Sequence, residues 1–138
     1  MNFLYQFRFA LCAFNFGAIA FVQWVQYPLF AKVNSDSFIS YHRSHVSRTS
    51  ILLGTTLFLE MLINVLLFLS EPTNSFFYFP LLCLSVGWIV TFTVSVPQHR
   101  KLEKGFENKS HRTLLFSNLV RVFCWGGAVV FLLIKGQS

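Results

Sequence analysis

The sequence predicts an all-α fold, a four-helix transmembrane bundle, and three observations carry that prediction. Hydrophobic residues fill 54% of 138 positions and charged residues only 12%, about half the charged share of an ordinary soluble domain. Four apolar runs are each long enough, at about 1.5 Å per residue, to cross a hydrocarbon core of about 30 Å. The basic residues, which give a net charge of +6, gather in two segments that flank those runs. Such a composition excludes disordered, collagen-like and disulfide-scaffold chains. The length fits one unit, so residues 1–138 are expected to form a single integral membrane domain.

The first run, 9–30, has 22 residues without a charge. Arg8 before it and Ala18-Ile19-Ala20 within it have the look of a signal peptide. The apolar run continues for ten more residues, however, which is too long for that reading. The second span, 51–70, is interrupted only by Glu60. Between Phe38 and Gly54 there is neither glycine nor proline, so its helix is expected to begin well before the apolar run. The third, 76–96, carries Pro80 in its first turns, and Pro97 is expected to break it. The fourth, 114–134, is interrupted only by Arg121. Connections of about 20, 5 and 17 residues follow from these bounds, and Gly105 offers a turn within the last of them.

Orientation follows from lysine and arginine. Eight lie in segments 31–50 and 97–113, against Arg8 and Lys135 on the other side and none in 71–75. Both termini are therefore expected on the non-cytoplasmic side of a multi-pass inner-membrane protein. Tyr5, Phe76, Phe77 and Tyr78 fit an outer aromatic belt, and Trp24, Tyr27 and Tyr41 an inner one. Because the basic residues sit where topology needs them, no nucleic-acid partner is implied. Cys12, Cys83 and Cys124 are isolated in apolar runs with no metal-ligand spacing.

Ionisable groups within a bilayer are expensive and mark functional sites. Glu60 lies nine residues from the inner end of its span, and Arg121 seven from the inner end of its own. Those offsets correspond to depths of about 14 and 10 Å. The similar depths predict that both face the bundle interior and interact, directly or through Gln23, Asn118 or water. Thr91 has comparable depth, and Trp88 and Trp125 lie near mid-membrane, where they pack the bundle or line a cavity. Three readings stand open for this group: a structural pair that sets helix register, a polar floor beneath a ligand cavity, and a proton relay through Glu60.

The histidines form a second group. His42, His45, His99 and His111 all fall in or beside the two basic segments. On a helix, His42, Thr49, Thr56, Glu60 and Asn64 share one face, with His45 one turn from His42. His45 and Glu60 are 15 residues apart, or about 22 Å along a helix, so they cannot share an ion. A metal site would have to combine His42 or His45 with His99 or His111 at the cytoplasmic rim, and haem held by a histidine pair would sit there too. The plain alternative is interfacial histidines bonded to backbone, headgroups or water. The most individual stretch, Val96–Phe106, reads either as a shaped rim over a cavity or as a basic loop held by anionic lipid.

With these motifs located, the chain resembles a group of uncharacterised small four-helix bacterial membrane proteins. The resemblance lies in Tyr41-His42-Arg43-Ser44-His45, Glu60, Val96-Pro97-Gln98-His99 with Leu102 and Gly105, and Asn118 with Arg121 and Trp125. More distantly, the layout is similar to small membrane proteins of the anthrone-oxygenase-like type, which are associated with oxidation of polycyclic aromatic substrates. This likeness implies fold alone, since no motif here carries that activity.

The function these features lead one to expect is an integral membrane protein with a polar pocket in its inner-leaflet half. The pocket would bind a lipophilic small molecule or cofactor, a membrane oxidoreductase being one form of this. Arg121 and Glu60 would orient a polar head group, with Gln23, Asn118, Trp88 and Trp125 around it and His42, His45 and His99 at the mouth. Two alternatives are an accessory or assembly subunit of a larger membrane complex, its Phe-rich faces packed on partner helices, and a small oligomeric transporter or channel. No nucleophile triad, phosphate loop or soluble-cofactor fingerprint is present.

Overall fold

A computed structural model describes residues 3–135. They form four helices and, among the described residues, no strand: α1 (Phe3–Phe30), α2 (Ser35–Ser70), α3 (Ser75–Leu102) and α4 (Asn108–Lys135). All four are long and apolar enough to cross a membrane. Short connections make sequential helices antiparallel neighbours. α4 packs most extensively, against α3 and α1, while α2 closes the bundle by packing on both α1 and α3.

The helices outrun the apolar segments, so only 31–34, 71–74 and 103–107 connect them. As the lack of Gly and Pro predicts, α2 starts far before its apolar run. Its extra turns bury Phe38 and His42, and the early turns of α4 bury Ser110, His111 and Leu114. Local chemistry ends the helices. Asn74 accepts the Phe76 N–H on its side chain at 3.1 Å, capping the start of α3. Gly105, at φ +137°, occupies a backbone region open to glycine and makes the α3–α4 turn.

Pro97 does not end the third helix, contrary to the reading of it as a breaker. α3 runs on to Leu102, because the turn just before the proline, Thr91–Ser95, is a wide π-turn. A proline ring collides with the carbonyl four residues earlier; here that is Thr93, inside the widened turn. The same device recurs in α1, where Val22–Gln26 is a π-turn and Pro28 follows. Such turns are rare and add one residue to a helix at a local site.

The surface and interior are inverted relative to a soluble protein. Large apolar side chains such as Phe58, Phe92, Phe116 and Phe123 are exposed, while Arg8, Asn15, His42, Glu60, Asn64, Asn118 and Arg121 are buried. Only a solvent of lipid makes that distribution favourable. Tyr27 and Phe77, expected in the aromatic belts, are instead buried. At the centre, the fully buried Trp125 lies against Gly87, where an added Cβ would sit 2.2 Å from Cζ3 of the indole.

Candidate functional site

The buried polar residues fall into three groups along the bundle axis. The group nearest the 71–74 connection centres on Glu60. Its Oε2 accepts hydrogen bonds from Asn15 Nδ2 at 2.7 Å and from Trp125 Nε1 at 2.9 Å. Asn15 Oδ1 accepts from Thr56 Oγ1 at 2.6 Å, so α1, α2 and α4 meet at one carboxyl group. One turn on, Asn64 Nδ2 donates to the Glu60 carbonyl, and Asn64 Oδ1 accepts from Arg8 Nε at 2.8 Å. The Arg8 guanidinium carbon lies 5.3 Å from the ring centres of both Phe76 and Phe77, a geometry in which the ring faces attract a cation.

Arg8 is the residue that sequence reasoning missed, having been assigned to the flank as a topology charge. It is buried and coupled to Glu60 through Asn64. A signal was available: Arg8, Cys12, Asn15 and Ile19 recur at helical spacing and all face inward.

The middle group surrounds a cavity of about 240 Å³ among all four helices. Glu60 and Arg121 both face the interior, as their depths predict, but they form no hydrogen bond or ion pair with each other among the described residues. Arg121 instead donates from Nη1 to Asn118 Oδ1 at 3.2 Å and lies 5.8 Å over the Trp125 ring. Asn118 Nδ2 donates to Gln23 Oε1 at 3.0 Å and to the Ile19 carbonyl at 3.2 Å. Gln23, Asn118 and Arg121 thus form one network, which reaches Glu60 by way of Trp125.

Arg121 and Asn118 line the cavity with Trp88, Thr91, Ser95, Tyr27, His45 and His99, and apolar walls come from Ile19, Val22, Leu53, Leu57, Phe92 and Val96. No acidic residue lines it. Arg121 Nε and Trp88 Nε1 are buried without a hydrogen-bond partner. Both tryptophans singled out in the sequence are accounted for, Trp125 as a packed hydrogen-bond donor and Trp88 as a cavity wall.

The third group is at the basic end. His42 Nε2 and His99 Nδ1 lie 3.0 Å apart, and the other nitrogen of His99 lies 3.0 Å from the Tyr27 hydroxyl. His45 stacks on His99 with ring centres 6.2 Å apart and meets Phe30 edge-on at 4.9 Å. His111 donates from Nε2 to the Tyr27 carbonyl at 2.7 Å. The π-turns in α1 and α3 precede Tyr27 and His99 respectively, and they rotate both side chains onto this floor.

The rings of His42 and His99 therefore converge, as chain geometry allows, but through a shared hydrogen bond. Two axial haem ligands at about 2 Å each would stand about 4 Å apart across the iron, farther than these nitrogens. Among the described residues no three His, Cys, Asp or Glu side chains are grouped to hold a metal ion. With both nitrogens of His99 engaged, the cluster is arranged as a hydrogen-bonded chain running from the cavity to His42.

Comparison of the chain with protein-family models, curated proteins and solved structures finds no match.

Proposed function

We propose that this membrane protein holds a lipophilic small molecule or cofactor within the bilayer, its polar head against Arg121 in the cavity between the four helices. The observation that carries this reading is the cavity itself. A void of about 240 Å³ beside a buried arginine with no carboxylate partner is costly for a bundle that has no use for it. Arg121 supplies polar recognition, held in place by Asn118, which Gln23 braces in turn; Trp88 and the apolar walls grip the body, and the Tyr27–His99–His42 chain forms the floor. Glu60 is a structural anchor in this reading, since Asn15 and Trp125 occupy one of its oxygens. Eight lysines and arginines in segments 31–50 and 97–113, against Lys135 on the other side with Arg8 turned into the interior, support an inner-membrane orientation with those two segments toward the cytoplasm.

Gly54 provides the test. It lines the cavity, and a Cβ there meets nothing within 4 Å, so Gly54→Phe can fill the void. Lipophilic molecules that co-purify with the parent protein, resolved by mass spectrometry of the extracted complex, should be depleted in Gly54→Phe. Identical extracts from two equally folded proteins would count against the reading.

A further inference from the structure

We infer that the molecule bound in the cavity is a single-chain amphiphile with an anionic head, carboxylate or phosphate. Its head would sit at Arg121 and its chain would leave the bundle sideways between α1 and α2. This rests on the reading of the cavity as a binding site and adds the class of ligand and its route.

The route is visible as a groove of about 550 Å³ on the flank formed by α1 and α2, with Phe14, Ala18, Phe21 and Leu52 as apolar walls. It shares Val22, His45, Thr49 and Leu53 with the cavity, so the two volumes adjoin. From Val22 to Phe14 the groove runs about 12 Å along α1, away from the basic end and toward mid-membrane. A head at Arg121 with a chain along this groove has the orientation of a lipid in the leaflet at the basic end.

The sign of the head follows from which donors remain free. Asn118 has both amide hydrogens engaged, toward Gln23 and the Ile19 carbonyl. Thr91 donates to the Gly87 carbonyl. Ser117 donates to the Leu114 carbonyl, which leaves Ser95 as the donor to Ser117. Trp88 also keeps an unpartnered N–H, but Arg121 is the charged group with donors to spare, its Nε having no partner. Neither cavity nor groove is lined by Asp or Glu, and Arg48 adds a second cation at the groove. A cationic head would be repelled there, and a neutral one would leave Arg121 uncompensated in a low-dielectric site. An oxyanion satisfies the guanidinium through charge-assisted hydrogen bonds, bidentate where geometry allows.

The test uses bromine quenching of tryptophan fluorescence in detergent-solubilised full-length protein. Trp24→Phe removes the lipid-exposed indole, leaving Trp88 and Trp125 to report. The probes are 9,10-dibromostearate, a lysophosphatidate carrying the same chain, and the dibromo alcohol. At least one anionic probe should bind saturably and about tenfold or more tighter than the alcohol, the discrimination of one charge-assisted hydrogen bond. Which of the two binds tighter identifies carboxylate or phosphate as the head. Arg121→Gln should bring the anionic probes within about twofold of the alcohol, whereas Arg121→Lys keeps much of the preference. Ala18→Phe, in the groove wall, should weaken all three probes.

Equal binding of acid, phosphate and alcohol by the parent would overturn the anionic head even if no Arg121 variant folds. Unchanged binding to a folded Ala18→Phe would overturn the lateral route. Saturable binding of the alcohol alone leaves the cavity reading standing while the anion inference fails; no saturable binding of any probe removes both.

Discussion

Replacing Gly87 with alanine should destabilise the bundle, and the sign is what makes the experiment informative. A helix by itself favours alanine over glycine by about 1 kcal/mol, so a glycine that merely occupies a helix would yield a more stable variant. At position 87 the new methyl would stand 2.2 Å from Trp125 Cζ3 and 2.8 Å from Cη2. The indole must retreat by more than an ångström, but it is fully buried and held by its 2.9 Å bond to Glu60. Overpacking costs about 1–3 kcal/mol, and a broken bond that leaves buried polar atoms unsatisfied costs about 1–3 kcal/mol more. Set against the helical gain, the net loss should lie between about 1 and 5 kcal/mol. Reversible unfolding in mixed micelles of detergent and SDS, followed by circular dichroism and indole emission, measures it. Gly17→Ala, where an added Cβ meets nothing within 4 Å, is the control and should be neutral or stabilising. Trp125→Phe should cost less in the Gly87→Ala background than in the parent, because the smaller ring relieves the clash. If Gly87→Ala is as stable as the parent, with unchanged emission and no coupling to position 125, then neither the close contact nor its link to Glu60 is real.

Glu60→Ala strands the donors of Asn15 and Trp125 and should cost about 2–6 kcal/mol; Glu60→Gln keeps an acceptor and should cost much less, by the same unfolding assay. Removing Tyr27 by Tyr27→Phe and His42 by His42→Phe should show a coupling of about 0.5–3 kcal/mol in a double-mutant cycle, since both bond to His99; strict additivity would dissolve the chain into separate contacts. Arg8→Ala should destabilise by about 1–3 kcal/mol, in contrast to Arg100→Ala at the exposed basic end, where no measurable change in stability is expected. Single cysteines at Ser75 and Lys109, in a cysteine-free background, should label from opposite sides in intact cells, with Lys109→Cys protected from an impermeant reagent.

The spans were legible because burial in lipid demands long apolar runs, and no other constraint produces four of them in 138 residues. Helix lengths were legible only in part. The stretch from Phe38 to Gly54 without glycine or proline announces the early start of α2, but the polar start of α4 carries no hydropathy signal, and Pro97 reads as a terminator unless the wide turn before it is foreseen. The convergence of His42 and His99 was legible from their places, His42 before the second apolar run and His99 three residues after the third. The partner of Glu60 was not, because depth alone cannot say which neighbour is turned toward it. Depth favoured Arg121; the rotation of α1 instead brings Asn15 to the carboxyl, and the rotation of α4 brings Trp125. Arg8 escaped notice because an arginine at the edge of an apolar run resembles a topology signal, and only the periodicity of its inward neighbours tells otherwise.

The paired π-turns have a consequence for how such a site could arise and be lost. Each is one surplus residue absorbed by a helix, and each lies on the chain before a floor residue, Tyr27 in one helix and His99 in the other. Removing a single residue from either turn would restore regular winding and swing everything beyond it by about 100°. The hydroxyl or imidazole would then face lipid or a neighbouring helix, although every side chain of the floor was still encoded. Single-residue insertions and deletions at these turns thus act on the floor more sharply than substitutions: one such change in α1 or α3 assembles or dismantles it while leaving composition, charge and hydropathy almost untouched.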